Sequence, residues 1–338
     1  MQILHLHRKP HPFHYSIEQL FEAIRAQLPE GMEVRAAECP HPSQGLVRRL
    51  KNLRFASRLK GDVYHITGDV HYLALGTPRE RTVLTIHDLG FLRQENPILR
   101  KILYWFWLKL PVARARVVTT ISEATKQDIL EWLPDCPPEK IRVIPNPVLP
   151  FFRPVPKTFD EKCPVILLVG TKPNKNLARQ LEALSGIHCQ VQIIGERKPD
   201  IEHMLHVLQL PHTWLAHLSQ EALLQAYASS DLLLFASTLE GFGMPILEAQ
   251  AVGRPVVTGN CSSMPEVAGG AACLVDPFDV ASIREGLLRV IRDRAYREEL
   301  LRLGRENVRR FEAGEVARKY GEVYAETYPP PAPPFQRC

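Results

Sequence analysis

The segment 235–277 carries two carboxylates among glycines and a proline, a combination that can bind hydroxyl groups and anions. Glu240 follows the apolar run 232–236, and Glu248 lies one turn inside a helix that Pro245 suits at its start. Such a helix start presents the backbone N–H groups of Gly241, Phe242, Gly243 and Met244. Both carboxylates are then expected to face one crevice at the carboxyl end of a strand, where ligands bind in open α/β sheets.

A second segment, VGTKPNKN at 169–176, has the pattern of a phosphate-binding turn. An apolar strand ends before Gly170 and a helix begins at Asn176, so the turn offers backbone donors and the positive end of a helix dipole. Lys175 adds a positive charge suited to a diphosphate. The remaining residues predicted to bind the same ligand are Thr171, Lys172 and Arg197, with Lys172 and Arg197 as alternatives for a second positive charge.

Other nucleotide-binding motifs are missing from the sequence. The pair Gly241 and Gly243 lacks the third glycine of a GxGxxG fingerprint, and no GxxxxGK[ST] motif occurs, which argues against a P-loop NTPase. His5, His7, His11 and His14 do not have the spacing of a zinc site, and no cysteine neighbours them. Neither a metal nor a cofactor is therefore expected.

The block from Glu240 to Glu248 resembles the EGFG…E signature of the family 4 glycosyltransferases, the retaining group with the GT-B fold. The resemblance continues through 217–221, 253–257 and the SSMPEV run at 262–267, and it covers most of residues 164–280. It implies a transferase that moves a hexosyl group from a nucleotide-diphospho-sugar to a saccharide or lipid-linked saccharide, in surface polysaccharide or glycolipid synthesis.

The resemblance also implies roles for individual residues. Glu240 would hold the donor sugar, Glu248 the ribose hydroxyls and Lys175 the leaving diphosphate, while His87 in the TIHD run would approach the donor sugar. Asn174 stands where the family often has a basic residue. No Asp-x-Asp occurs, so a metal-dependent GT-A transferase is disfavoured; Lys175 and helix dipoles would neutralise the diphosphate instead.

The first βα loop departs from the family pattern, because it lacks the usual glycine pair. Side chains are expected to contact ligand there in place of the backbone. These acceptor-side candidates are Arg8, Lys9, His14 and Ser16. Ser122, by contrast, is expected to be a helix N-cap.

The chain is predicted to form two Rossmann-like, doubly wound α/β domains facing a central cleft, the GT-B architecture. Alternating strand and helix patterns, with five strands in each half, indicate parallel sheets covered on both faces. The proline-rich stretch 144–156 serves as the linker. The predicted domains are 1–146 and 147–313, with a helix at 314–328 crossing back onto the first and a proline-rich tail at 329–338. Residues 97–116 are predicted to form a core helix, and 280–311 one long helix.

Composition favours a cytoplasmic protein. No apolar run reaches the ~18–20 residues of a membrane span, the N-terminus does not resemble a signal peptide, and the seven cysteines form no CxxC pair. The net charge of +5 divides into +6 for residues 1–150 (21 Lys and Arg, 15 Asp and Glu) and −1 for the remainder (21 and 22).

The stretch GLVRRLKNLRFASRLK at 45–60 predicts a basic amphipathic helix. It has two interpretations: peripheral binding to an anionic membrane, or a solvated basic face on a core-packed helix. The basic residues concerned are Arg48, Arg49, Lys51, Arg54 and Arg58. No nucleic-acid-binding module is recognisable. Two alternatives to a transferase stay open: a GT-B nucleotide-sugar epimerase, and a non-catalytic saccharide-binding homologue.

Overall fold

The computed structural model describes residues 1–9 and 16–328, which form two compact units. Unit 1 comprises Met1–Pro145 and the described residues from Ala313 onward; unit 2 is Asn146–Glu312. Each unit has a six-stranded sheet in which every pairing is parallel. The predicted α/β, doubly wound architecture is thereby confirmed for each unit.

Unit 1 has the strand order β2-β1-β3-β4-β5-β6. The strands are β1 Gln2–His7, β2 Glu33–Glu38, β3 Val63–Ile66, β4 Thr82–Ile86, β5 Val117–Thr120 and β6 Ile141–Val143. The helices are α1 Ser16–Arg25, α2 Leu46–Ala56, α3 Pro97–Leu103, a π-helical turn Tyr104–Lys109, α4 Leu110–Arg114 and α5 Glu123–Trp132. Short 3-10 turns lie at His71–Gly76, Arg79–Arg81, Gly90–Leu92 and Pro138–Lys140.

Unit 2 has the strand order β12-β11-β10-β7-β8-β9. The strands are β7 Val165–Val169, β8 Gln190–Ile194, β9 His212–Leu215, β10 Leu232–Phe235, β11 Val256–Gly259 and β12 Cys273–Val275. The helices are α6 Leu177–Leu184, α7 Pro199–Val207, α8 Gln220–Ser229, α9 Met244–Val252, α10 Met264–Ala268, α11 Val280–Arg292 and α12 Arg294–Val308. Pro173–Lys175 and Arg309–Phe311 are 3-10 turns, and α13, Ala313–Thr327, returns the chain to unit 1.

The sheets are buried on both faces, which explains the continuous apolar character of their central strands. Every residue of β3, β4 and β10 is buried. In unit 1, one layer of the core joins the first strand to α13 through Ile3, Phe21, Val316 and Tyr320.

Two predictions about elements are wrong, and a third is only partly right. Residues 280–311 do not form one helix, because the Asp293 carboxylate accepts a bond from the Tyr296 N–H (2.9 Å) and starts α12 anew. Each sheet has a sixth strand, β6 or β9, at its edge, where polar and partly exposed residues interrupt the apolar pattern. The prediction for residues 97–114 holds only in part: they are helical and bury Trp107, Leu108 and Val112, but Ile98 and Phe106 are exposed and do not belong to the core.

Candidate functional site

The strand order of unit 2 places two sequence-predicted loops side by side. From β7 the chain proceeds to β8 and β9 on one side, and β10 then pairs with β7 on the other. The loops after β7 and β10 therefore leave the sheet in opposite directions and open a crevice at its carboxyl edge, the usual ligand position in this fold.

Lys175 lies at this point, and the backbone around it is shaped to hold it. Gly170 has φ 91°, and a Cβ there would lie 2.8 Å from the Lys175 Cε, so only glycine leaves room for the lysine side chain. The Lys175 Nζ donates to Glu240 Oε1 at 2.7 Å and lies 4.7 Å from the centre of the Phe235 ring. Only 18% of the Lys175 side chain and 11% of the Glu240 side chain are exposed, so the pair is largely shielded from solvent.

Hydrogen bonds tie the loops around this pair together. The Asn176 side chain, at a residue with φ 59°, donates to the carbonyls of Ala236 (3.0 Å) and Pro277 (2.6 Å). The Asn174 amide donates to the Leu239 carbonyl at 2.8 Å. Asn176 therefore fixes the loops instead of offering its side chain to a ligand, and its role at the site is confined to the backbone at the start of α6.

The loop after β11 completes this arrangement. Ser262 Oγ donates to the Glu240 carbonyl at 2.5 Å, and Ser263 Oγ donates to the Phe242 carbonyl at 2.8 Å. Both serines belong to the SSMPEV run, yet their function as backbone braces was missed from sequence. Their position directly after a strand adjacent to β10 was the available signal.

Glu248 lies on α9 and is held by a tyrosine from the neighbouring helix. The hydroxyl of Tyr227, a fully buried residue of α8, donates to Glu248 Oε2 at 2.5 Å. Burial raises the pKa of Glu248 to about 7, while the bond from Tyr227 and the charge of Lys175 act in the opposite direction. Glu248 thus changes charge near neutral pH and lies within electrostatic reach of Lys175. Tyr227 was not predicted from sequence.

The helix start between the two glutamates has the expected form. Gly243, with φ 108°, is the N-cap of α9, and Met244 is its first residue, so Pro245 occupies the second position. Phe242 is buried, and its ring packs edge-on against Phe311 with centroids 5.9 Å apart. Phe242 can therefore contact a ligand only through its backbone, and the two glycines have no side chain to offer.

The two candidates for a second positive charge differ. Lys172 is exposed at the start of the 3-10 turn that carries Lys175. Arg197 is also exposed, and its guanidinium pairs with Glu202 at 2.8 Å. Thr171 packs close to Gly195, where a Cβ would meet its Cγ2 at 2.8 Å. Of the two, Lys172 lies in the same turn as Lys175, which makes it the better candidate for the second positive charge.

In unit 1 the corresponding switch lies between β1 and β3, and the remaining candidates are near it in the fold. His87, just after β4, donates through Nε2 to the Thr67 carbonyl at 2.8 Å. Burial lowers its pKa, so the ring is neutral at pH 7 with Nδ1 as a hydrogen-bond acceptor. The neutral ring can accept a bond from a hydroxyl group.

The acceptor-side candidates of the first loop are only partly described. Arg8 pairs with Glu18 at 3.0 Å and with Asp69 at 3.5 Å. Lys9 is exposed. Ser16 is the first residue of α1, and His14 lies outside the described residues.

The histidines of β1 are core residues. His7 bonds to Thr67 Oγ1 (2.8 Å) and to the Arg25 guanidinium (3.0 Å), and His5 bonds to the Tyr324 hydroxyl (2.9 Å). Within residues 1–9 and 16–328, no three His, Cys, Asp or Glu side chains are grouped so as to hold a metal ion. The expected N-cap is confirmed, since Ser122 Oγ accepts from the Thr125 N–H at 3.1 Å.

The basic helix of the sequence is α2, and its surface differs from that of the core-packed interpretation. Leu46 and Leu50 are exposed instead of packed. The Arg49 guanidinium lies 4.5 Å over the Trp107 ring, which removes it from the basic face. Among the described helices, none is long and apolar enough to cross a bilayer.

Two family models match the chain in succession. The model described as Glycosyltransferase Family 4 matches residues 6–150, and the one described as Glycosyl transferases group 1 matches residues 153–307. The first covers most of unit 1 and the second covers most of unit 2.

Several similar proteins of known name are mannosyltransferases. O-antigen chain mannosyltransferase B of Escherichia coli is 27% identical over 69% of this chain and 67% of its own length. The MMP alpha-(1->4)-mannosyltransferase of Mycolicibacterium hassiacum is 26% identical over 95% of this chain and 84% of its own. The serotype-specific mannosyltransferase WbdA of Escherichia coli is 25% identical over 65% of this chain, which spans only 30% of that protein.

Solved structures share the fold. Sucrose-phosphate synthase from Thermosynechococcus elongatus superposes with a TM-score of 0.78 at 18% identity, covering 96% of this chain and 99% of that one. HepE of Anabaena, in complex with UDP and glucose, gives a TM-score of 0.75 at 16% identity, covering 96% and 100%.

Proposed function

Because the chain belongs to the family 4 glycosyltransferases, a class of transferase enzymes, we propose that it moves a hexosyl group from a nucleotide-diphospho-sugar to a saccharide or lipid-linked saccharide acceptor. The proposal includes retention of the anomeric configuration and a role in surface polysaccharide or glycolipid synthesis.

The observation that carries the proposal is the shielded pair of Lys175 and Glu240 at the switch point of unit 2. A diphosphate carries more negative charge than one carboxylate, so it competes with Glu240 for the Lys175 Nζ. Glu240 is then released to accept hydrogen bonds from sugar hydroxyls. The N–H of Met244, the first residue of α9, has no partner within the helix and adds a donor at the same crevice, whereas Pro245 has no N–H and the Ile246 N–H bonds to the Gly243 carbonyl at 3.0 Å.

The proposed reaction needs charge stabilisation more than proton transfer by the protein. The acceptor hydroxyl oxygen bonds to the anomeric carbon while the bond from that carbon to the diphosphate oxygen breaks. The bonding electrons stay with the nucleoside diphosphate, and the acceptor proton passes to the departing oxygen. Lys175 stabilises the charge that develops there. Attack on the face of the leaving group retains the configuration.

Relatives and structural neighbours suggest which donors to test first. Several relatives are named mannosyltransferases, two of them for the O-antigen chain, and HepE was solved with UDP and glucose. We therefore propose GDP-mannose and UDP-glucose as the first donors and a growing surface polysaccharide as the acceptor class. His87 keeps its predicted role toward the donor sugar.

The test is a screen of GDP-, UDP- and ADP-sugars for thermal stabilisation, followed by transfer to mannosylated acceptors and NMR assignment of the new linkage. A donor that binds only the folded protein raises its melting temperature. We expect one donor to stabilise the protein and to give a product with retained configuration. Release of an altered nucleotide-sugar without acceptor would identify an epimerase, and binding without turnover a saccharide-binding homologue.

The proposed step uses Lys175 and helix N-termini where other transferases use a divalent ion. We therefore expect turnover to be unchanged after dialysis against EDTA. Loss of activity that Mg²⁺ or Mn²⁺ restores would contradict this part of the proposal.

Association with an anionic membrane through α2 also belongs to the proposal. Because Arg49 is engaged by Trp107, the available cations are Arg48, Lys51 and Arg54 of α2 and Arg58 just after its end. Each basic residue near an anionic surface contributes roughly 1 kcal/mol. Replacing Lys51 and Arg54 by alanine should weaken sedimentation with anionic vesicles at low salt; unchanged sedimentation would reject a role for α2.

A further inference from the structure

The segment Pro97–Lys109, made of α3 and the π-helical turn that follows, carries large apolar side chains on its outer surface. Five of them are 38–71% exposed. They are Ile98, Leu99, Ile102, Trp105 and Phe106, which we call the 98–106 face. Spacings of three and four residues place most of them along one side of the helical segment.

The opposite side of the segment is firmly packed in unit 1. Leu108 is fully buried, and Trp107 is nearly so. The Trp107 Nε1 donates to the Asp69 carbonyl at 2.8 Å. The exposure of the 98–106 face is therefore a property of a well-anchored helix, and no described residue of unit 1 covers it.

The charged side chains within the segment Pro97–Lys109 all have one sign. Arg100, Lys101 and Lys109 are exposed, and residues 97–109 contain no Asp or Glu. The Lys109 Nζ lies 4.7 Å over the Trp105 ring, so a cation is held directly beside the apolar surface.

Helix α2 shares the combination of exposed apolar side chains and positive charge. It too has no acidic residue, and its Leu46, Val47 and Leu50 are exposed. These three side chains lie within one turn of Arg49, whose guanidinium stacks on Trp107. The contact between Arg49 and Trp107 thus joins α2 to the segment Pro97–Lys109, and both elements lack acidic residues and expose apolar side chains.

We propose that the 98–106 face enters the headgroup region of an anionic lipid bilayer, with Arg100, Lys101 and Lys109 pairing with lipid phosphates. An apolar helix face bearing Trp and Phe and flanked by cations has the composition of helices that lie in the membrane interface. A second copy of the chain fits less well, because a two-fold contact would bring the same cations together.

This inference does not depend on the proposed glycosyl transfer, and it can hold or fail independently of it. It also differs from the electrostatic role of α2, because it requires apolar side chains to leave water. Binding that includes this step should persist in part at high salt, whereas purely electrostatic binding is screened.

The test compares the full chain with two variants in sedimentation with vesicles of phosphatidylcholine, alone or mixed with phosphatidylglycerol. The face variant is Ile102→Ser/Trp105→Ser/Phe106→Ser. The matched control, Val207→Ser/Phe278→Ser, removes side chains that are 65% and 59% exposed in unit 2. We expect the parent and the control to bind mixed vesicles alike, and the face variant to bind about tenfold more weakly or worse.

Fluorescence quenching by brominated lipid tests whether Trp105 is the tryptophan that enters the bilayer. The single variant Trp105→Phe should still bind vesicles but lose most of the quenching seen in the parent. The inference is overturned if the parent stays in the supernatant, if the face variant binds like the parent, or if quenching is unchanged without Trp105. It is equally overturned if the parent forms a dimer that the face variant cannot form, because the face then serves a second copy.

Discussion

Lys175 is the residue on which the proposed chemistry depends, because it is the cation held in the crevice beside Glu240. Lys175→Ala should lower turnover by roughly 2–4 kcal/mol in transition-state free energy, the cost typical of losing a contact to developing charge. Steady-state kinetics with the preferred donor is the measurement.

Lys162→Ala is the matched control, since it removes an exposed lysine of the same unit. Circular dichroism and melting curves must show that both variants fold, because Lys175→Ala leaves the nearly buried Glu240 carboxylate without its cation. Equal turnover in a folded Lys175→Ala variant and in the control would refute the phosphate role.

Glu248 gives the site a pH dependence. Its pKa is raised to about 7 by burial, so the carboxylate that accepts from ribose hydroxyls predominates only above that pH. Affinity for a nucleoside diphosphate should therefore increase as pH rises through 7. Tyr227→Phe removes a hydrogen bond that favours the carboxylate, so the midpoint of the change in affinity should lie at a higher pH in this variant than in the parent.

Calorimetric titrations between about pH 5.5 and 8.5 test this, with Glu248→Gln as the reference, because the nucleotide phosphate itself ionises near pH 6. Subtracting the Glu248→Gln profile leaves the contribution of Glu248. A parent profile that coincides with that of Glu248→Gln would show that the carboxylate takes no part in binding.

At the scale of elements, α13 is joined to the sheet of unit 1 by buried polar groups. The Tyr324 hydroxyl bonds to His5 Nε2 (2.9 Å) and His65 Nδ1 (2.7 Å), and His65 Nε2 bonds to Thr85 Oγ1 (2.7 Å). Tyr324→Phe leaves buried ring nitrogens without a partner, at a cost of roughly 1–3 kcal/mol. Urea unfolding should show this loss of stability for Tyr324→Phe. The control Tyr328→Phe changes a half-exposed tyrosine and should leave the stability unchanged.

The same histidines predict acid sensitivity. Burial lowers the pKa of His5 and His65 well below the usual value of about 6.5, so both are neutral in the folded chain. Their contribution to stability is complete above pH 6.5, and it decreases as pH falls below that value, since the unfolded chain then binds protons that the folded chain does not. Urea midpoints that stay constant from about pH 7 to 5 would contradict this.

The sequence was sufficient to predict those parts of the fold and of the site that depend on a local residue pattern. Apolar runs located the central strands, and the glycine turn before Lys175 and the carboxylates around Gly241 followed from their positions at strand ends. Tyr227 could not be found this way, because it meets Glu248 only through the packing of α8 against α9. The exposure of Trp105 was also missed, since a segment apolar on several sides does not reveal which side faces the core.

At the scale of the whole molecule, the charge difference between the two halves parallels their proposed tasks. The excess of +6 in residues 1–150 includes the acid-free α2 and the segment Pro97–Lys109, whereas residues 151–338, at −1, contain the crevice around Lys175. Positive charge is thus concentrated where a surface partner is proposed, and unit 2 relies on a single well-placed lysine and on helix ends.

The most direct test of the central claim is calorimetric titration of GDP, UDP and ADP into the parent, Lys175→Ala and Lys162→Ala proteins. We predict that at least one of these nucleotides binds the parent and the Lys162→Ala control equally, and binds Lys175→Ala about tenfold more weakly or not at all. Absence of binding by all three nucleotides, or equal affinity in all three proteins, would contradict the assignment of a nucleotide-sugar site to unit 2.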